Sequence, residues 1–436
     1  MTIYESEEVK MSKSNYGLGT IAVQGSYTAD ETGARTIPIH QTASYDLGNA
    51  DRAANLFGLK EFGNIYTRLN NPTNTSFEEK INLLEGGAAA LSTASGQAAI
   101  TIAILNLCEA GDHILAASTL YGGTYTLFAY TFKKLGIDVT FVDPELSLEE
   151  LQAEVKPNTK VVYGETIGNP GLNILDFEKF STLSKSAGVP LVIDNTFATP
   201  YLIRPFEHGA DIVVYSATKY IGGHGNSIGG VIVDSGKFEW TSEKYPGLVD
   251  PDPSYHGLEY YKTFGELAFI VKARVQLLRD LGSTLSPFNS FLLHTGLETL
   301  HLRVQRHSDN ALELAKYLQA HELVEWVSYP GLESHPSHER AKKYLPKGVS
   351  GVLTFGVKGG REAGRQFINN VELASLVPNI GDTRTLVIHP ASTTHSQLTE
   401  EEQIASGVSP DLIRVSVGIE DIEDVKADFD QALRIK

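Results

Sequence analysis

Residues 191–219, LVIDNTFATPYLIRPFEHGADIVVYSATK, are the stretch from which the fold can be predicted. Two continuous apolar runs, 191–193 and 212–215, end at polar residues, the first at Asp194 and the second at Ser216-Ala217-Thr218-Lys219. Apolar runs of this length are typical of strands buried on both faces of a parallel sheet. Ligands of open α/β sheets bind beyond the carboxyl ends of the strands. We therefore expect the polar residues of this stretch to line a binding site.

The same alternation of short apolar runs and helical segments extends from about residue 88 to residue 235. A helix over 176–187 is predicted, because Asp176 can cap its start and Gly188 and Pro190 can end it. The alternation is typical of βαβ units and predicts an α/β fold with a mostly parallel sheet covered by helices. The strand candidates are 113–116, 139–142, 161–163, 191–193, 212–215 and 230–233.

After residue 260 the pattern changes to longer helices and a few strands, which predicts a smaller α+β C-terminal domain. The chain ends in an amphipathic helix with Ile422, Val425, Phe429 and Leu433 on one face. The other elements predicted here are helices over 269–281, 287–297 and 301–321 and strands over 352–355, 385–388 and 413–417.

The N-terminal region is rich in Gly, Asn, Thr and Tyr, and its periodicity is weak, so we predict an extended arm there. The predicted division of the chain is an arm over 1–70, a large cofactor-binding domain over 71–298 and a C-terminal domain over 299–436.

Composition excludes several classes of protein. The formal net charge of -17 disfavours nucleic-acid and anionic-membrane partners. A single cysteine, Cys108, excludes an intramolecular disulfide and a zinc site built from several thiolates, and no metal is expected. The longest apolar run, 98–108, is shorter than the roughly 18 residues of a membrane span, and the acidic start lacks a signal-peptide pattern. We therefore expect a cytoplasmic protein.

The residues that follow the predicted strands suit a site for pyridoxal 5′-phosphate. The Lys219 amine could bond the cofactor aldehyde and later carry protons. The Asp194 carboxylate could hold the pyridine nitrogen protonated, so that the ring accepts electrons. Tyr121, in a glycine turn, could stack on that ring.

The cofactor phosphate would need backbone N–H groups at a helix start together with hydroxyl groups. Gly96 and Gln97 lie in a small-residue turn before an apolar helix, and Ser216 and Thr218 flank the lysine loop. Each of these residues alone has an ordinary structural explanation, such as a helix cap or a turn. Their joint placement at strand ends favours the cofactor site.

A serine acyl-enzyme is the competing interpretation, because 216–219 fits an S-x-x-K box and 308–310 fits an S-D-N box. The third box, Lys-Thr-Gly, is missing, since Phe264 follows Lys262-Thr263. The S-D-N match also falls inside a helical pattern. His224, in the glycine-rich loop after the lysine, is given no role.

The motifs identify the chain as similar to the Cys/Met-metabolism family of pyridoxal phosphate enzymes over nearly its whole length. This resemblance implies the aspartate aminotransferase-like (type I) fold and a homotetramer, a dimer of dimers with shared active sites. The matching motifs are Tyr66-Thr67-Arg68, Asn71-Pro72-Thr73, Ser95-Gly96-Gln97, Tyr121-Gly122-Gly123-Thr124, Glu165-Thr166, Asn169-Pro170, Asp194-Asn195-Thr196, Ser216-Ala217-Thr218-Lys219, His389-Pro390-Ala391-Ser392 and Arg414-Val415-Ser416-Val417-Gly418.

By this resemblance, Tyr66 and Arg68 would reach the cofactor phosphate of a neighbouring subunit. Asn169 would contact the cofactor ring oxygen and the substrate, and Arg414 would pair with the substrate carboxylate, for which a planar guanidinium is suited. A surface ion pair is the ordinary alternative for Arg68 and for Arg414. Asn379 stands where the family commonly has serine, so no substrate contact is assigned to it.

Three features resemble the O-acetylhomoserine sulfhydrylase branch of the family: Gly381-Asp382-Thr383-Arg384-Thr385-Leu386, the loop Thr218 to Gly225, and an inserted segment from Ala273 to Asn289. The branch implies a γ-replacement in which O-acetyl-L-homoserine and sulfide give L-homocysteine and acetate. Methionine or cystathionine γ-lyase and cystathionine γ-synthase share the cofactor residues and stay open as alternatives. A non-catalytic α/β protein that binds a small molecule is the alternative of another class.

Overall fold

The computed structural model describes residues 15–393 and 409–434, which form two β-sheets covered by helices. The large sheet contains β1 (Ala89–Thr93), β2 (His113–Ala117), β3 (Asp138–Val142), β4 (Thr159–Glu165), β5 (Leu191–Asp194), β6 (Ile212–Ser216) and β7 (Gly230–Asp234). The small sheet contains β8 (Val324–Ser328), β9 (Val352–Val357), β10 (Ser375–Leu376), β11 (Leu386–Ile388) and β12 (Leu412–Ser416). The predicted α/β fold with a smaller C-terminal domain is confirmed.

The strand order of the large sheet is β1-β7-β6-β5-β4-β2-β3. Strands β2 to β6 pair in parallel, and β7 pairs antiparallel with both β6 and β1. All six predicted strands are present within one or two residues. The first strand, β1, was not predicted, because its Ala-Ala-Leu-Ser-Thr sequence lacks the β-branched run that marks the others.

Strand β2 has β3 on one side and β4 on the other. The strands that follow β3 in the sequence are therefore added on the opposite side of β2, and the strand order reverses at this point. The loops after β2 and β4 consequently diverge and leave a crevice at their carboxyl ends. This is the place where open α/β sheets bind ligands.

The α-helices follow the chain order α1 (Leu18–Gln24), α2 (Ala50–Phe57), α3 (Pro72–Glu85), α4 (Gly96–Leu105), α5 (Gly122–Thr126), α6 (Leu148–Ala153), α7 (Phe177–Ala187), α8 (Thr199–Leu202), α9 (Pro246–Val249), α10 (Tyr260–Phe264), α11 (Ala268–Lys272), α12 (Arg279–Leu281), α13 (Pro287–Glu298), α14 (Leu300–Gln319), α15 (His338–Tyr344), α16 (Gly360–Asn370) and α17 (Ile422–Arg434). Asp176 caps α7 as predicted, accepting a hydrogen bond from Lys179 N. None of the helices in the described ranges is long and apolar enough to cross a membrane.

Two predictions about the helices need correction. The single helix predicted over 269–281 is divided, because a π-helical turn, Ala273–Leu278, separates α11 from α12. The predicted arm is not wholly extended, since it contains α1 and α2, and α1 buries Ile21 and Ala22. The domain boundaries at residues 70 and 298 stay a prediction.

The C-terminal sheet has the order β10-β11-β12-β9-β8, and only β10 and β11 pair in parallel. The edge strands β8 and β10 were not predicted. Apolar and polar residues are mixed in β8, and β10 has only two residues. Strand β12 is central, and it carries Arg414 toward the large domain's carboxyl edge.

Candidate active site

A cavity of about 300 Å³ lies at the carboxyl edge of the large sheet. All the site residues selected from the sequence line it except Tyr66 and Arg68, namely Gly96, Gln97, Tyr121, Asn169, Asp194, Ser216, Thr218, Lys219 and Arg414. Most of them lie on loops or strand ends of the large sheet, whereas Arg414 belongs to the small sheet. The cavity therefore lies between the two domains.

The helix α4 begins at this cavity, where Ser95 caps it by accepting a hydrogen bond from Ala98 N at 3.1 Å. The N–H groups of Gly96 and Gln97 have no backbone acceptor among the described residues. A Cβ atom on Gly96 would lie 2.6 Å from Cβ of Ser216, so only glycine lets the helix start approach β6. Free N–H groups at the positive end of a helix dipole suit an anion such as phosphate.

Two hydroxyl groups flank this helix start. Thr218 Oγ1 donates to Gly229 O at 3.2 Å and accepts from Gly229 N at 3.1 Å, which closes the loop around the lysine. The Ser216 backbone N–H donates to Thr196 Oγ1 at 2.8 Å, and the Ser216 hydroxyl lines the cavity. The hydroxyl groups and the helix start together form a small polar cradle.

Asp194 ends β5 beside Glu165, its register partner on β4. The Asp194 carboxylate accepts a hydrogen bond from Thr196 N at 2.9 Å. Burial raises the pKa of Asp194 to about 6, although the Thr196 bonds oppose this rise. A partly buried carboxylate is stabilised by a cationic partner, such as a protonated ring nitrogen.

Glu165 is buried next to Asp194, and its Oε1 accepts a hydrogen bond from Tyr121 N at 2.7 Å. Burial first, and the neighbouring Asp194 charge second, raise the pKa of Glu165 well above its ordinary value. Two adjacent carboxylates cannot both ionise readily, so a single negative charge on the pair is favoured. The bond to Tyr121 also fixes the start of α5 and thereby the position of the Tyr121 side chain.

The Lys219 ammonium donates to Asn379 Oδ1 at 2.5 Å. Burial, and then the positive charge of Arg414, lower the pKa of Lys219 to about 8. A sizeable fraction of the amine is therefore unprotonated slightly above neutral pH. An unprotonated lysine can act as a nucleophile toward an aldehyde and as a base.

Arg414 projects from β12 into the same cavity. Burial lowers the pKa of its guanidinium, and no carboxylate of the described residues forms an ion pair with it. The surface ion pair considered as the ordinary alternative is therefore absent within the described chain. A desolvated guanidinium suits a planar carboxylate, which it can bind with two parallel hydrogen bonds.

The loop that follows Lys219 is held by a second buried arginine. Arg303 on α14 donates to Tyr220 O at 2.7 Å and to Gly296 O at 2.5 Å. Gly381, whose φ of +70° favours glycine, packs on the same loop, and a Cβ atom there would lie 2.7 Å from Tyr220 N. These contacts fix the lysine backbone against the small domain.

Asn169 lines the cavity at the end of the β4 loop, as predicted from the family motif. Tyr66 and Arg68 lie elsewhere, on the surface beside Gly282 and Thr284. The Arg68 guanidinium stacks 5.1 Å from the Tyr66 ring centroid and forms no ion pair with a described residue. Within one chain these two residues do not reach the cavity.

The positions of the residues that match the S-D-N box contradict the acyl-enzyme interpretation. Ser308, Asp309 and Asn310 lie inside α14 and do not line the cavity that contains Lys219. His224 also lies outside the cavity lining, and its Nδ1 is 2.6 Å from Gly222 O. Arg384 is exposed and lies 3.4 Å from the Asp382 carboxylate.

Glu165 and Asn379 line the cavity, although neither was given a role from the sequence. Glu165 is the second residue after the predicted strand 161–163 and the last residue of β4, so the strand-end rule could have selected it. No pattern signalled Asn379, because its contact with Lys219 joins residues 160 positions apart.

The family model described as Cys/Met metabolism PLP-dependent enzyme matches residues 19–434. The chain belongs to this family. It is 52% identical over 430 residues to O-acetyl-L-homoserine sulfhydrylase from Leptospira meyeri, covering 96% of this chain and 97% of the relative. It is 54% identical over 407 residues to homocysteine synthase from Schizosaccharomyces pombe, covering 93% and 95%.

A solved structure from Campylobacter jejuni superposes on this chain with a TM-score of 0.93 at 39% identity, covering 96% of this chain and 100% of the other. That protein carries N′-pyridoxyl-lysine-5′-monophosphate at position 205 of its own chain. A PLP-dependent family member must hold a phosphate, a ring nitrogen and an aldehyde. The helix start at Gly96, the Asp194 carboxylate and the Lys219 amine fit these three groups.

The first prediction concerns the ionisation of Lys219. Added pyridoxal phosphate should attach to cofactor-free protein at a rate that rises with pH through a midpoint near 8, because only the unprotonated amine reacts. Arg414→Met should move this midpoint to higher pH, since it removes a positive charge that lowers the lysine pKa. Absorbance after mixing, between pH 6 and pH 10, measures the rate.

Arg365→Met is the matched control, because Arg365 is exposed on α16 and pairs with Glu362. It should leave the midpoint unchanged. An unchanged midpoint in Arg414→Met would contradict the proposed charge coupling between Arg414 and Lys219.

Proposed function

We propose that this chain catalyses a γ-replacement in which O-acetyl-L-homoserine and sulfide give L-homocysteine and acetate. The observation that carries the proposal is the identity of 46–54% between this chain and relatives named as O-acetylhomoserine sulfhydrylases or homocysteine synthases, over nearly their full lengths. The cavity supports it, because an amine, a carboxylate and a guanidinium that has no ion pair with a described residue converge there. These are the groups that chemistry on an amino acid with this cofactor requires.

When bound, pyridoxal phosphate supplies an electron-accepting ring that stabilises negative charge on the substrate carbon next to it. Gly96, Gln97, Ser216 and Thr218 would bind its phosphate, and Asp194 would face its ring nitrogen. Tyr121 would pack on the ring face, where its aromatic side chain lines the cavity.

The substrate would be oriented by its carboxylate. Arg414 would bind that carboxylate with two hydrogen bonds, and Asn169 lies on the same cavity wall. Lys219, with a pKa of about 8, would take the proton from the substrate α carbon at neutral to slightly alkaline pH. Asn379 would hold the Lys219 amine in position for this transfer, through the 2.5 Å hydrogen bond.

We also propose that each active site is completed by a second copy of the chain. Tyr66 and Arg68 lie outside the cavity of their own chain, and Arg68 forms no ion pair within residues 15–393 and 409–434. Among the residues that the structure describes, Gly96, Gln97, Ser216 and Thr218 provide no cation for a phosphate. An arginine from a neighbouring chain would provide one. The homotetramer implied by the family resemblance and the cytoplasmic location stay predictions.

The second prediction is the product assay. Purified protein with pyridoxal phosphate, O-acetyl-L-homoserine and sulfide should form homocysteine and acetate in equal amounts, because the γ acetate leaves and sulfide replaces it. Mass spectrometry of the derivatised thiol and an enzymatic acetate assay measure the two products. O-succinyl-L-homoserine in a parallel reaction establishes the acyl preference.

Three outcomes would contradict this assignment. Release of 2-oxobutyrate and ammonia from methionine or cystathionine, at rates above homocysteine synthesis, would indicate a γ-lyase. Preferential formation of cystathionine when cysteine replaces sulfide would indicate a cystathionine γ-synthase. A protein that neither binds the cofactor nor turns over any of these substrates would indicate the non-catalytic alternative.

The third prediction tests the shared site by complementation. Arg68→Ala should weaken cofactor binding roughly tenfold or more, because a charge-assisted contact with phosphate is lost. Lys219→Ala should be inactive. Mixing the two variants under conditions that allow subunit exchange should restore about a quarter of wild-type activity, since half of random dimers are mixed and each contains one intact site.

The assay uses a cofactor concentration too low to saturate Arg68→Ala. Native mass spectrometry establishes that mixed oligomers form. Mixed oligomers without activity, or an Arg68→Ala protein that binds the cofactor as tightly as wild type, would contradict the shared site.

A further inference from the structure

The inserted segment between Ala273 and Asn289 has no role in the cavity described above. It contains the π-helical turn, α12 and the start of α13. It lies beside the chain segment that carries Tyr66 and Arg68, since Gly282, Thr284 and Pro287 share a surface pocket with these two residues. The hydrogen bonds between the two segments indicate what the insertion does.

Two side chains of the insertion bind backbone carbonyls next to Arg68. Thr284 Oγ1 donates to the carbonyl of Arg68 itself at 2.8 Å. Arg274 Nη1 donates to the carbonyl of Leu69 at 3.0 Å. The other amino group of Arg274 forms an ion pair with the buried Glu78 at 2.6 Å, so the Arg274 side chain is anchored on α3.

The contact continues in both directions along the chain. Asn74 Nδ2 donates to Leu285 O at 2.9 Å, and Ser290 Oγ donates to Thr73 O at 3.2 Å. On the other side of the insertion, Ser283 O accepts a hydrogen bond from Ala94 N at 2.8 Å. Ala94 immediately precedes Ser95 and the phosphate-binding turn of the same chain. Residues 283–285 therefore contact both the chain next to the Gly96 turn, which is proposed to bind phosphate in its own subunit, and the segment with Arg68, which is proposed to complete the site of a neighbouring subunit.

We infer that Thr284 and Arg274 are positioning residues that hold Arg68 in place for the cofactor phosphate of a neighbouring subunit. This inference rests on the shared site proposed above. The Arg68 side chain is exposed, and the Tyr66 ring is its only partner in the part of the chain that the structure describes. The orientation of the Arg68 side chain therefore depends on the position of its backbone. The side chains of Thr284 and Arg274 hold the backbone carbonyls of residues 68 and 69. Because a preordered arginine has less conformational freedom to lose, less conformational entropy is lost when it binds phosphate.

The fourth prediction uses Thr284→Val, which removes the hydroxyl donor and preserves the size of the side chain. The dissociation constant for pyridoxal phosphate, measured by cofactor absorbance and by fluorescence on the intact oligomer, should rise roughly two- to tenfold, the loss expected from one hydrogen bond. Turnover at saturating cofactor should change little, because Thr284 does not touch the cavity. Arg274→Lys, which keeps the charge opposite Glu78 and loses the bond to Leu69 O, should act in the same direction.

Thr295→Val is the matched control. Thr295 lies in α13, and its hydroxyl donates to Phe291 O within the same helix, so its loss should leave cofactor affinity unchanged. The deciding comparison is a double-mutant cycle with Arg68→Ala. If Thr284 acts through Arg68, then Thr284→Val should add almost no further loss of affinity in the Arg68→Ala background.

The outcomes separate the two proposals. Wild-type affinity in Thr284→Val, or a loss that is fully additive with that of Arg68→Ala, would overturn the positioning role while leaving the shared site intact. Wild-type affinity in Arg68→Ala itself would overturn the shared site, and the positioning role with it.

Discussion

The partial burial of charged side chains at the edge where the two domains meet determines which groups a ligand of this site must supply. Asp194, Lys219 and Arg414 face one cavity, and burial is the first cause of the pKa shift of each. An isolated charge in a dry site is costly, so such groups persist where a ligand compensates them. A cofactor with a cationic ring nitrogen and an aldehyde, together with an amino-acid carboxylate, supplies the complementary groups.

The surrounding fold brings these three charged side chains to one cavity from different directions. The parallel strands deliver Asp194 and the lysine loop to one edge, and β12 of the small sheet delivers Arg414 from the opposite side. The Tyr220 hydroxyl accepts a hydrogen bond from Gly351 N at 3.0 Å and thereby ties the residue next to Lys219 to the C-terminal domain. Neither domain alone contains the whole site, so the packing of the two domains is required to bring its residues together.

The sequence was sufficient to predict the parallel sheet and most of the cavity, because buried strands are continuous apolar runs and ligands collect at their carboxyl ends. Asp194 follows such a run directly, and Lys219 lies in the polar segment that follows another. It was not sufficient for Asn379, whose contact with Lys219 depends on domain packing, or for β1, whose alanines resemble a helix as much as a strand. The role proposed for Arg68 requires a second chain, and its sequence motif suggested that role only through the family resemblance.

Lys219 is the residue to which we propose that the cofactor is bonded, and chemical labelling of the protein tests this assignment. The purified protein is saturated with pyridoxal phosphate, reduced with borohydride and digested, and the modified peptide is identified by mass spectrometry. We expect a single pyridoxyl group on Lys219, and loss of that label in Lys219→Ala. A stoichiometric label on another lysine, or an equal label in Lys219→Ala, would contradict it.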